Sequence, residues 1–262
     1  AGVKLVRVLG NLTTKEFDPI LMLDSFDSIN PDDYTAGFPM HPHRGIETIS
    51  YVSRGKMVHR DSLGNEAGIS DGEVQWMNSG SGIMHEEMVP AAERLLGVQL
   101  WLNLPAKDKM SKPSYNSIKN EDIKEIEIEG GKIRLLAGKY GEHEGYKGDY
   151  LSMDYYDIHL NADAEVTLTM EEDDSVMVFT LLGDVYIDGE HIEEKTAVKL
   201  TEGDSLTIKN GNEKAQVLYM NSRALNEPVA WAGPIVMNTQ EELQKAFLEL
   251  RSNTFIKETA EY

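Results

Sequence analysis

Short runs of apolar residues, broken every eight to twelve positions or so by glycine or a turn dipeptide, fill most of the 262 residues. Residues 3–9 are largely aliphatic and stop at Gly10-Asn11, and residues 19–23 form a second apolar run. Residues 47–53 (ETISYVS), 56–61, 74–77, 83–85 and 95–104 follow, with Gly55, Leu63-Gly64-Asn65, Asp71-Gly72 and Ser79-Gly80-Ser81-Gly82 between them. β-Branched and aromatic residues in such runs, with turn formers between, predict β-strands and hairpins. A sandwich or small barrel is the architecture this rhythm implies, and no helix is needed in this half.

Residues 107–120 are polar, with Pro105 just before and Pro113 inside, and read as a linker. The strand rhythm resumes at Ile123, so two domains are expected, 1–112 and 113–262. The tail breaks the pattern. Leu243, Ala246, Phe247 and Leu250 repeat at i, i+3, i+4, i+7, the spacing of one helix face. Asn238-Thr239 supplies a cap, and Glu241 and Glu242 stand where a helix N-terminus favours acids. A C-terminal α-helix of about three turns is predicted over residues 239–251.

A hydrophobic content of 40% is enough to bury a core. The formal net charge of -20 repels phosphate backbones and anionic lipid, so neither direct nucleic-acid binding nor membrane binding is expected. No apolar run reaches the roughly 20 residues of a spanning helix, and no signal peptide is evident, so the cytoplasm is the expected setting. There is no cysteine, so any metal must rest mainly on His, Asp or Glu.

The chemistry gathers at Phe38-Pro39-Met40-His41-Pro42-His43-Arg44-Gly45-Ile46-Glu47 and at Gly80-Ser81-Gly82-Ile83-Met84-His85-Glu86-Glu87. Residues two apart on a strand share a face, so His41 and His43 project together, as do His85 and Glu87. If both strands face one interior, three imidazoles and a carboxylate meet there, a donor set for a transition metal. Glu47, with the parity of His41 and His43, is a fallback ligand, and Glu86 has the wrong parity. His59 sits nearby and reads as structural. His143, His159 and His191 are isolated and are expected to bind nothing.

These two blocks resemble the metal motifs of the cupins, and of the pirin family in particular. Val58-His59-Arg60-Asp61-Ser62-Leu63-Gly64-Asn65, Val74-Gln75-Trp76-Met77 and Gly233-Pro234-Ile235-Val236-Met237-Asn238-Thr239 are also similar to pirin segments. The resemblance implies an all-β protein of two tandem cupin (jelly-roll-like) β-barrels with a C-terminal α-helix, metal-free in the second barrel. It implies one metal on His41, His43, His85 and Glu87, with Fe(II) usual and Mn, Co, Ni or Cu able to compete. It further implies oxidation of a flavonol such as quercetin by O2, with ring opening and release of carbon monoxide, and Glu87 as general base. The family also contains non-enzymatic, iron-dependent regulators that bind proteins, so a protein partner is the alternative reading. Family members are often monomers. Ser25 and Ser81 depart from residues common in the family, and both are expected near the mouth of the site.

Overall fold

The computed structural model describes residues 2–259. Its first half contains ten strands: β1 (Val6–Leu9), β2 (Ile20–Ser28), β3 (Phe38–His43), β4 (Ile46–Arg54), β5 (Lys56–Asp61), β6 (Glu66–Ser70), β7 (Glu73–Asn78), β8 (Ile83–Met88), β9 (Leu95–Asn103) and β10 (Ser114–Ile118). They form a six-stranded sheet in the order β1-β2-β9-β4-β7-β10 and a four-stranded sheet in the order β3-β8-β5-β6. The two sheets face each other as a jelly roll. One end of the interior is apolar, around Phe26, Val52, Met57 and Ile69. Elsewhere polar groups such as Ser50, Gln75, Gln99 and Glu87 are buried in the same unit.

Residues 120–224 form a second compact unit together with residues 16–19. Its four-stranded sheet runs Glu165–Thr169, Ser205–Asn210, Val185–Ile187, Glu190–Ile192, which is the first, fourth, second and third strand in chain order, as in the first barrel. Where His41 faces His85 in the first barrel, the second pairs Leu168 with Leu206 and Val166 with Ile208. All four of these residues lie in an apolar core with Ile133, Ile158, Val178 and Val217. Hydrophobic burial fills that barrel, and no donor set remains at the corresponding positions.

The helix α1 (Gln240–Arg251) forms where the sequence predicts it, and Thr239 and Glu242 make a reciprocal capping box. Two expectations about domains need correction. Residues 225–259 group with the first compact unit, not the second. The short hairpin of Ala230–Ala232 and Ile235–Met237 packs with α1 and Phe255 through Ala230, Ile235, Met237, Leu243 and Ala246, and Val236 packs with Ile46 and Trp101 of the first barrel. The second correction is β10, which lies inside the expected linker and pairs with β7. It escapes the hydrophobic pattern because its inward residues, Tyr115 and Ser117, are polar.

Candidate metal centre

β3 and β8 pair antiparallel with His41 opposite His85 and His43 opposite Ile83, and an irregularity between Phe38 and His41 absorbs Pro39. This register brings His41, His43 and His85 onto one inward face. Ligand nitrogens of the three lie within 4.8 Å of one another, the one such cluster of His, Asp and Glu among the described residues. His41 Nε2 is 3.0 Å from His43 Nε2 and 3.0 Å from His85 Nε2. His43 and His85 are almost fully buried.

The protons on these rings follow from their partners. The Nδ1 of His41 lies 2.7 Å from the Pro39 carbonyl, and that of His43 lies 2.9 Å from the Pro234 carbonyl. A carbonyl only accepts, so each Nδ1 donates and each Nε2 presents a lone pair. The Asp61 Oδ2 carboxylate oxygen accepts from His59 Nε2 at 2.8 Å. The lone pair on His59 Nδ1 then faces His85 Nδ1 at 3.4 Å, which leaves His85 Nε2 bare as well.

Bare nitrogens 3.0 Å apart, as His41 Nε2 is from those of His43 and His85, repel one another unless a cation lies among them. Ligands about 2.1 Å from one ion and at right angles to each other sit roughly 3 Å apart, so the residues fit a metal. Burial, and then the positive potential of His41, pushes the His43 pKa down to about 3. Burial likewise holds His85 well below its ordinary value. Both rings are therefore neutral and able to ligate across the physiological range.

Glu87 lies two residues from His85 on the same strand face, paired with His59 across β5. Its carboxylate takes the Gln75 amide on Oε1 and the Gln99 amide on both oxygens, at 3.2 and 3.1 Å. Ser50 approaches the same Oε1 at 3.5 Å. Burial raises its pKa, against the opposing pull of the Gln99 hydrogen bond.

These donors come from one cross-strand row. Arg7, Asp24, Gln99, Ser50, Gln75 and Ser117 stand opposite one another across the six-stranded sheet. The adjacent row is Met22, Trp101, Thr48, Met77 and Tyr115. Trp101 meets the His43 ring edge-on at 5.1 Å, and Tyr115 stacks on His59 at 3.9 Å. Sequence reasoning assigned no role to Gln75, Gln99 or Tyr115, because their meeting depends on cross-strand register, which no local spacing encodes.

Glu47 is placed elsewhere. It accepts from Trp76 Nε1 at 3.0 Å, and both residues have the parity opposite to Ser50 and Gln75, so they occupy the other face of the sheet. Gly45 is the cause. At φ 82° it turns the chain between β3 and β4 and breaks the alternation that linked Glu47 to His43. A side chain at Gly45 would also collide with the Val236 carbonyl. Ser25 pairs with Val98, on the face away from Gln99, so it does not line the cavity. Ser81 lies in the turn before β8, where its carbonyl accepts from Arg44 Nε at 2.7 Å. His159 and His191 bond to Asp157 and Asp184, and exposed His143 stands apart from both; none joins the cluster.

The turn after His43 is bolted to the C-terminal segment. Val236 N donates to the Arg44 carbonyl at 3.1 Å. Buried Arg44 donates from Nη2 to Glu249 Oε2 at 2.7 Å and to the Phe255 carbonyl at 3.0 Å, with its guanidinium 4.2 Å over the Phe255 ring. Buried Lys109 donates to Gly45 O at 2.7 Å, Asn103 Oδ1 at 2.5 Å and Val236 O at 3.2 Å, which uses all three of its protons. Burial brings its pKa down to about 7.

The pirin family profile matches residues 2–102, and the profile of the pirin C-terminal cupin domain matches residues 155–256. The chain is a member of the pirin family. A Pseudomonas aeruginosa relative, provisionally named as a quercetin 2,3-dioxygenase, is 39% identical over 96% of this chain and 91% of its own. Human pirin is 35% identical over 96% of this chain and 87% of its own. The crystal structure of a quercetin 2,3-dioxygenase from Acinetobacter baumannii superposes with a TM-score of 0.89 at 31% identity, covering 97% of this chain and 92% of that one. The two-cupin pirin architecture with one C-terminal helix therefore holds for this chain. Among its described residues, no helix is long and apolar enough to cross a membrane.

Proposed function

We propose that the N-terminal barrel of this pirin holds one divalent transition metal, Fe(II) by preference, and that the protein is a flavonol 2,3-dioxygenase acting on quercetin-like compounds with O2. His41, His43 and His85 would hold the ion, with Glu87 as fourth ligand. The observation that carries this reading is the convergence of three bare imidazole nitrogens on the inward face of the barrel, two of them on buried neutral rings, with a carboxylate two residues from His85 on the same strand. When bound, such an ion supplies a Lewis acid that lowers the pKa of an enolic hydroxyl and a redox-active centre for O2 chemistry.

The chain itself does the rest. Three neutral rings and one carboxylate leave a divalent site net positive, which favours an anionic flavonolate. Glu87, its pKa raised by burial, is suited to take the flavonol hydroxyl proton. The Gln75 and Gln99 amides hold that carboxylate in one pose. Trp101, Met77 and Met22 give a flat aromatic ligand an apolar wall and exclude water. Thr48 Oγ1 and Trp101 Nε1 are buried with no hydrogen-bond partner among the described residues. They face each other across β4 and β9 and are placed to orient a substrate oxygen.

The test is the flavonol absorption band of quercetin mixed with the metal-loaded protein under air and under nitrogen. The band is expected to bleach only with O2, with carbon monoxide in the headspace and both oxygen atoms of O2 in the ring-opened product. His43→Ala should abolish the bleaching. Inertness toward several flavonols with several bound metals would refute the enzyme reading. The alternative is then a non-enzymatic, iron-dependent pirin, and its sign is a set of captured proteins that changes with the oxidation state of the metal.

A further inference from the structure

Each of the three clustered imidazoles needs a fixed partner at Nδ1 if its Nε2 is to face an ion. His41 and His43 use main-chain carbonyls, which cannot change protonation or rotate away. His85 has a side chain instead, and that side chain is itself held from behind. We propose that Asp61 and His59 are a positioning pair that fixes His85 in the tautomer and ring orientation required for metal binding. The proposal rests on the metal-binding part of the function above and is independent of flavonol turnover.

The pair is built as a rigid unit. Asp61 Oδ1 accepts from the main-chain N–H groups of Leu63 and Asn65 at 2.9 and 3.1 Å. Asp61 Oδ2 accepts from Asn65 Nδ2 at 2.8 Å and from His59 Nε2 at 2.8 Å. Four donors leave the carboxylate one orientation. Neither side chain of the pair is exposed. The His59 ring is pinned a second time by Tyr115, which stacks on it with 12° between the ring planes. The proton of His59 is thus committed to Asp61, and its Nδ1 can only accept from His85.

Direction of effect follows from that order. If His59 loses its acceptor nitrogen, His85 gains freedom to carry its proton on Nε2, the atom that must ligate. The Asp61 charge, relayed through His59, also makes His85 a stronger electron donor to a metal. Partners behind a ligating histidine typically contribute 10- to 100-fold in metal affinity. Asp61 stands opposite His85 in the register of β5 and β8, so the chain Asp61–His59–His85 is a closed local unit.

The experiment measures binding of Co(II) and Ni(II) to the full chain by chelator competition, together with the visible ligand-field bands of the Co(II) protein and the melting of the metal-free protein. His59→Leu is expected to weaken both metals about 10- to 100-fold and to shift the Co(II) bands. His59→Gln, whose side-chain carbonyl can still accept from His85 Nδ1, should return affinity to within about threefold of wild type. Asp61→Asn should weaken binding by about three- to tenfold, with altered Co(II) bands. Unchanged affinity and spectrum in His59→Leu would overturn the proposal. If that variant does not fold, unchanged affinity and spectrum in Asp61→Asn would do so. A wild-type protein that takes up neither metal refutes the metal centre itself, and this pairing with it.

Discussion

Arg44 ties the turn that carries His43 to the C-terminal segment, and the strength of that tie can be measured. Replacing Arg44 with Leu removes a hydrogen bond to the Ser81 carbonyl, one to the Phe255 carbonyl, an ion pair with Glu249 and the contact over the Phe255 ring. Breaking a buried ion pair by deleting one partner costs about 3–5 kcal/mol. Glu249 keeps a second partner in Lys257 at 3.1 Å, which places the expectation at the lower end, about 3 kcal/mol. Glu249 is a first-unit residue, so the loss falls on the docking of α1 and not on the second barrel. Lost docking energy of about 3 kcal/mol raises the open population of the segment on the order of a hundredfold. Amide hydrogen exchange across residues 240–256, compared between wild type and Arg44→Leu in the metal-free state, reads this directly. Residues 131–137, in the second unit, serve as the internal control. Exchange of the helix within about threefold of wild type would show that the segment docks without the arginine, and the account of the turn given above would be wrong.

Other outcomes follow from the same geometry. His85→Ala removes one of the three clustered imidazoles and should abolish high-affinity metal binding, so a metal-dependent rise in melting temperature is expected of wild type and not of the variant. Glu87→Gln keeps an oxygen that can accept from Gln75 and Gln99 but removes the basic carboxylate; flavonol turnover should fall at least about a hundredfold while the protein stays folded, measured by quercetin bleaching and circular dichroism. For the metal-free protein, His43 has a folded pKa near 3 against 6.5 ordinarily. The unfolded chain therefore binds the extra proton first, and stability is fully present above pH 6.5 and declines as pH falls toward 3. By pH 5 that loss amounts to about 2 kcal/mol from this one group, observable as a lower denaturation midpoint and absent in His43→Ala.

What the sequence made legible divides along physical lines. Strands and the capped helix are local, and alternation, glycine turns and a capping box marked them. Sharing of a face over two residues within one strand is local too; it paired His41 with His43 and put Glu87 on the strand face of His85, while the cluster of ligand atoms within 4.8 Å comprises the three histidines. The parity argument failed where the chain leaves a strand. Gly45 resets the alternation, so Glu47 points to the far side of the sheet. Cross-strand rows are non-local, so Gln75, Gln99 and Tyr115 gave no signal, and the polar inward face of β10 read as linker. The role inferred for His59 depends on Asp61, Tyr115 and His85 at once, and no single spacing encodes that. The return of residues 225–259 to the first barrel is likewise a matter of long-range packing, carried by Arg44, Lys109 and Val236.

The carbonyl that fixes His43 belongs to Pro234, 191 residues further along the chain. During synthesis the histidines therefore leave the ribosome long before one of their supports exists. At the order of 5–20 residues per second, roughly 10–40 seconds separate the two. The barrel can form in that interval, but the histidine cluster lacks this support until residues 234–236 have been made. For the proposed metal centre, loading of the complete site would follow synthesis of residue 234, and metal retention would report that this support has been made. Chains arrested before residue 230 and released should hold metal more weakly than the whole protein, even where the first barrel has folded. Equal retention by both would show that the barrel completes the site alone.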